Sequence, residues 1–111
     1  MIKTNITARH FKANETLREH IQSNLDNLSK FNEEILHADI ILSFEKTVNS
    51  IKHCEISVKL RDKVLISKDS SDEFSKSFDG ALTKIETQIL KYKDKHKSEK
   101  HNIEKEIIKT V

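Results

Sequence analysis

The sequence has one cysteine, one glycine, no proline and no tryptophan among its 111 residues. Each scarcity removes a class of explanation. A lone Cys54 excludes an intramolecular disulfide framework, and its place in an alternating strand pattern points to a buried structural thiol. With Gly80 as the only glycine, no glycine-rich loop exists to cradle a phosphate and no Gly-flanked elbow exists to raise a nucleophilic serine. The shortage of glycine and proline also leaves little turn chemistry, so connections should be few and short. No apolar run is long enough to span a bilayer. Neither a secretory leader nor a membrane partner is expected, and the cytosol, hence a cytoplasmic protein, is the expected compartment.

What is present describes one small domain with a wet surface. Hydrophobic residues make up 35% and charged residues 34%, and the length suits one modest core rather than two. Five Phe and one Tyr leave most of that core to Ile, Leu and Val. The net charge of +2 conceals an uneven distribution. Basic residues outnumber acidic ones over residues 1–31 and 80–111, and the reverse holds between them. Such asymmetry steers binding to nucleic acid or another anionic surface, although a solvated helix face is the plainer explanation.

Periodicity gives the order of elements. Ile2, Thr4 and Ile6 alternate with Lys3, Asn5 and Thr7, a half-buried strand. Asn14 is placed to cap a helix whose apolar row is Leu17, Ile21, Leu25, Leu28 and Phe31, with Glu15 and Glu19 at its positive end. Ala38, Ile40, Leu42 and Phe44 form a second strand, and Cys54, Ile56, Val58 and Leu60 a third. A tight turn at residues 61–63 leads to a shorter fourth strand over residues 64–68. Asp72 is placed to cap a long helix with Phe74, Phe78, Leu82, Ile85, Ile89 and Tyr92 facing inward. Gly80 inside that helix costs about 1 kcal/mol relative to Ala, which marks close approach of helix to sheet. The class is therefore α+β, in the order β-α-β-β-β-α: a four-stranded sheet with both helices on one face. Residues 1–97 form the domain, and residues 98–111, with Ile103, Ile107 and Ile108 at near-helical spacing, form a tail that either extends the helix, makes a separate turn or frays.

Chemistry-bearing residues do not gather. His10, His20, His37, His53, His96, His101 and Cys54 are spread over different elements without metal-ligand spacing, and neighbouring His53 and Cys54 point to opposite faces of a strand. Adjacent carboxylates, Glu33 with Glu34 and Asp72 with Glu73, suit capping and solvation. An enzyme, a metal, a cofactor and a small-molecule substrate are all unexpected.

The lysine-rich end of the last helix stands apart. Lys84, Gln88, Lys91 and Lys95 form one row beside the apolar stripe, and Lys93 and Lys97 lie on the far flank. Lysines in a row match a repeated phosphate backbone better than a compact ligand. Tyr92 at the border has two readings: a base-stacking platform, or a ring on the core with its hydroxyl in water. Arg9 and Lys12, after the first strand, either add a second contact point or are ordinary loop residues.

The ITA strand, the NETLREHI helix start, the DIIL strand and the DEF…FDGALTKIETQILKYKDKHK end together resemble the ribosome hibernation-promoting factors, short proteins also described as ribosome-associated inhibitors or sigma-factor modulation proteins. The resemblance covers about residues 1–97. It implies a fold similar to double-stranded-RNA-binding domains. It also implies binding to the small ribosomal subunit, through its rRNA, in the channel used by messenger and transfer RNA. The consequence would be translational silencing in slow growth, and in some members pairing of ribosomes into inactive dimers. It assigns Lys84, Lys91, Lys93, Lys95 and Lys97 to the family's basic positions. Thr87, Asn24 and Asn27 stand where relatives often carry basic residues, so the last helix supplies more of the charge here. The resemblance is to a short form, expected to be monomeric when free, without the extra C-terminal domain of long members or the strongly acidic tail of the inhibitor subgroup. Two other readings compete: a protein-interaction module acting on a sigma factor, and a general double-stranded-RNA binder.

Overall fold

The computed structural model describes residues 2–46 and 50–100, with side chains in the last helix through residue 94. Its elements are β1 (Lys3–Ala8), α1 (Glu15–Lys30), β2 (His37–Phe44), β3 (Lys52–Lys59), β4 (Val64–Ser71) and α2 (Phe74–Lys100). The strands lie side by side in chain order, β1 parallel to β2 and the rest antiparallel, as a crossover followed by a meander requires. The α+β order read from periodicity is the order observed.

Alternation puts one residue of every pair on the helix-covered face. Three rows cross all four strands there: Thr4, Ala38, Val58 and Leu65; Ile6, Ile40, Ile56 and Ser67; Ala8, Leu42, Cys54 and Asp69. Onto them α2 brings Phe78, Ala81, Leu82, Ile85 and Ile89, and α1 brings Ile21 and Leu25, all buried. Helix α2 lies along β3 and β4, while α1 lies beside α2 and β1. The opposite face of the sheet is mostly polar apart from the exposed Val64 and Ile66, with Asn5 donating to Asp39 at 2.9 Å and His53 placed between Ser70 and Glu45 at 2.6 and 3.1 Å.

Local chemistry sets the ends of the elements. Asn14 caps α1, its side-chain oxygen accepting from the Leu17 N–H at 2.8 Å. The β3–β4 turn closes with the Leu60 N–H donating to the Lys63 carbonyl at 2.8 Å, and it uses no glycine. Elsewhere the missing glycines show: His10 and Ser50 adopt φ of 66° and 42°, a region L-residues enter at a cost.

Three sequence expectations need correction. Strand β4 is longer than residues 64–68, because Asp69 and Ser71 face the small side of α2, where polar residues fit. Asp72 does not cap α2; it pairs with Lys76 at 3.3 Å, while the Ser71 hydroxyl takes the Glu73 N–H at 3.2 Å. Phe31 is not a core residue. Helix α1 ends at Lys30, so the ring swings past the last turn and is 76% exposed, and Ile35 and Asn32 are buried nearby instead. Helix α2 runs on past the expected boundary at residue 97 to Lys100, one of the readings of the tail, and residues 101–111, including Ile103, Ile107 and Ile108, lie outside the described residues.

The close approach inferred from Gly80 is present. A Cβ there would overlap the Asp69 carboxylate and lie 3.3 Å from its Cβ. One residue on, the buried Ser67 hydroxyl donates to the Ala81 carbonyl at 2.7 Å. Gly80→Ala therefore gains about 1 kcal/mol of helix propensity but loses about 1–3 kcal/mol to overpacking. The net expectation is a destabilised protein in urea melts. Adding Asp69→Ala should recover most of the loss, so that the two changes are clearly non-additive.

Candidate nucleic-acid interface

The α2 stripe that buries Ile85 and Ile89 fixes which way the helix's flanks point. One flank faces the free edge of β4. In an antiparallel pair alternate residues turn their backbone groups away from the partner. Along β4 those outward carbonyls belong to Ile66 and Lys68. Gln88 donates to the Ile66 carbonyl at 2.8 Å and Lys84 to the Lys68 carbonyl at 2.8 Å, with Asp69 a further 3.6 Å partner for the ammonium. Lys84, expected at the RNA surface, is thus engaged in covering a sheet edge. Lys91, farther along the same flank, is exposed.

The other flank faces α1. Lys93 reaches the end of that helix and donates to the Phe31 carbonyl at 3.0 Å, a cation against the negative end of a helix dipole. Tyr92 lies between the flanks with its ring against the core. Its hydroxyl donates to Asp62 at 2.7 Å, and this hydrogen bond, with a smaller contribution from burial, raises the phenol's pKa. Lys63 lies 5.9 Å from the ring centroid. Tyr92 is therefore tied to the β3–β4 turn rather than presented for stacking. The side chains of Lys95 and Lys97 lie outside the described ones, although α2 carries both residues.

The structure adds cations that helical phase alone could not find. Lys30 at the end of α1 and Arg61 and Lys63 in the β3–β4 turn are all exposed and reach the same end of the domain as Lys91 and Lys93. The signal in the sequence was only a basic pair in a tight turn, and its nearness to α2 depends on the meander. Glu33, Glu34, Glu86 and Asp94 temper the charge there. Arg9 and Lys12 are not part of this cluster. Phe11 stacks on Phe74 at 4.7 Å, at the start of α2, which places both basic residues about 26 Å of helix away from Lys91. Lys12 lines an open groove of about 700 Å³ with Thr4, Ile6, Arg18 and Glu19. Thr87 donates to the Thr83 carbonyl and Asn24 to the His20 carbonyl, so both serve their own helices.

Among the described residues no three His, Cys, Asp or Glu side chains gather as metal ligands would. Cys54 is fully buried, and desolvation, reinforced by Asp69 and Glu55, pushes its thiol up to about 12. No helix in the described part is long and apolar enough to cross a membrane.

A four-stranded sheet backed by two helices, with cations collected at one end of the longer helix, defines a small α+β binding domain. Residues 4–97 match the family described as Sigma 54 modulation protein / S30EA ribosomal protein, and the chain belongs to that family, the one its motifs resemble. A ribosomal subunit interface protein from Coxiella burnetii is similar in structure, with a TM-score of 0.76 and 27% identity over 84% of this chain and 99% of that one. The N-terminal domain of Protein Y from Thermus thermophilus shares the fold, with a TM-score of 0.71 and 19% identity over 83% of this chain and 99% of that one.

Two outcomes follow. Lys84→Ala should lower stability by about 1 kcal/mol, seen as a reduced urea midpoint, by uncovering the β4 edge. For Cys54, the unfolded thiol ionises near 9.0 and the folded one only near 12, so the native state holds the proton more tightly and stability falls as pH rises above about 9. Thermal melts from pH 7 to 10.5 should show a shallower alkaline decline in Cys54→Ala. A thiol reagent at pH 8 should label the wild type only as fast as it unfolds.

Proposed function

We propose that this protein binds the small ribosomal subunit in the channel used by messenger and transfer RNA, and there represses translation in slow growth or stationary phase. It is a cytoplasmic RNA-binding domain acting in ribosome hibernation, with no catalytic step. The observation that carries this reading is the basic end of α2. Lys91 and Lys93 extend from both flanks of a helix anchored on the sheet, beside Lys30, Arg61 and Lys63. Lys95 and Lys97 continue the run in sequence. Family membership supplies the ribosome as partner, and the solved relative described as a ribosomal subunit interface protein supports it. Arg9 and Lys12 serve as a second, distant contact.

Phosphate contacts of this kind release counterions, each adding about 0.7–0.9 to the slope of log affinity against log salt. Co-sedimentation with small subunits across a salt series tests the assignment. Changing Lys91, Lys93, Lys95 and Lys97 together to Glu should abolish binding at moderate salt, and the residual slope should fall by about 3. A variant that sediments like wild type with the same slope would refute the electrostatic mechanism. Equal affinity for free duplex RNA would point to a general duplex binder, and a folded wild type that ignores ribosomes would point to a protein target.

A further inference from the structure

Of the large hydrophobic side chains left exposed among the described residues, Phe31 lines a groove and Leu90 lies just beyond it. Phe31 is 76% exposed and Leu90 is 63% exposed, the highest values among the large hydrophobic residues described. The groove runs between α1 and α2, has a volume of about 290 Å³, and is lined by Asn24, Asn27, Leu28, Phe31, Leu82 and Glu86. Leu90 lies one helical turn beyond Glu86 on α2.

Phe31 is held by its backbone. Its N–H donates to the Ser29 carbonyl, and its own carbonyl accepts from Lys93 at 3.0 Å. The ring therefore extends from a fixed base into solvent, and ordering it on binding costs little. Charge around the groove is sorted. The lysines, Lys30 next in sequence and Lys93 on the facing helix, sit at the Phe31 end. The lining contributes amides and the Glu86 carboxylate, which accepts hydrogen bonds but repels phosphate.

We propose that this groove takes one unpaired RNA base, stacked on Phe31, with its phosphate turned out to Lys30 and Lys93. The inference rests on the ribosome-binding reading and names a contact within it. A duplex hides the faces of its bases, so the occupant is a splayed base from a single-stranded or bulged segment. A protein partner fits less well, because two apolar side chains fall far short of the roughly 800 Å² per partner that a stable protein interface buries.

The absence of tryptophan gives a direct probe, since Phe31→Trp carries the only indole in the chain. On binding small subunits its emission should be quenched by base stacking. Single-stranded oligonucleotide should also quench it, and duplex RNA should not. Phe31→Ala should weaken subunit co-sedimentation by about 5- to 150-fold, the range for one base stacked on an aromatic ring. Its salt slope should stay at the wild-type value, because no phosphate contact is removed; an exposed ring leaves the thermal melt unchanged. Phe31→Ala binding as tightly as wild type overturns the inference while leaving the ribosome reading intact. So does a weakened variant whose salt slope also falls, since Phe31 would then only position a lysine. A blue shift without quenching assigns the groove to a protein surface and overturns it equally. Wild type that fails to bind subunits overturns both.

Discussion

The closeness of α2 to β4 governs the rest of the molecule. Without a side chain at residue 80, and with Ser77 and Ala81 on either side of it, the helix settles onto Ser67 and Asp69 as a bulkier stripe could not. Ser77, fully buried, donates to the Lys52 carbonyl at 2.7 Å and so joins the helix to β3 as well. These contacts fix the line of the helix near its start. Everything farther along a rigid rod inherits that direction, including the placing of Gln88 over the Ile66 carbonyl and of Lys93 at the end of α1.

One consequence is protection of the sheet. A free edge strand offers unpaired backbone groups to other chains. Along β4 the Lys84 and Gln88 side chains occupy two of those carbonyls, so the helix covers an edge as well as a face. The other edge, β1, has Lys3 at one end and Arg9 just beyond the other, where charge discourages pairing with a second copy. On α2, then, Lys84 serves the sheet edge, whereas Lys91 stays exposed for the proposed contact. Composition alone counts them all as candidates for RNA, and only geometry separates Lys84 from Lys91.

The fold was legible because its periods are clean. Four alternating runs and two 3.6-residue stripes carry the order of elements, and the lone glycine marked the closest contact. Legibility failed where a residue obeys the period beyond the end of its element, or obeys it with unexpected chemistry. Phe31 keeps the spacing of Leu25 and Leu28, yet the helix stops one residue earlier. Asp69 and Ser71 look unlike strand residues because the helix surface above them is small and polar. Of the two aromatic side chains, Tyr92 keeps its ring on the core as one of its two readings had it, while Phe31 leaves the core. The Tyr92 hydroxyl is drawn to the β3–β4 turn by Asp62, a contact between residues thirty apart in sequence, whereas Phe31 stands past the end of α1.

Distance then decides how the cations act. Arg9 and Lys12 lie about 26 Å of helix from Lys91, which is some three Debye lengths at physiological salt. Their fields do not add at the α2 end, so they cannot reinforce Lys91 and Lys93 against a small anion. They add affinity only if one extended polyanion reaches both places, and then the second contact forms at high effective concentration. Such an arrangement selects by span as well as by charge. A short or flexible RNA engages one end and is held weakly, whereas a rigid surface with phosphates at the right separation engages both. The walls of a channel in folded RNA are such a surface. The separation of the two basic regions therefore disfavours short or flexible RNA, whereas a long duplex is rigid over the same span, and it is family membership that singles out the ribosome.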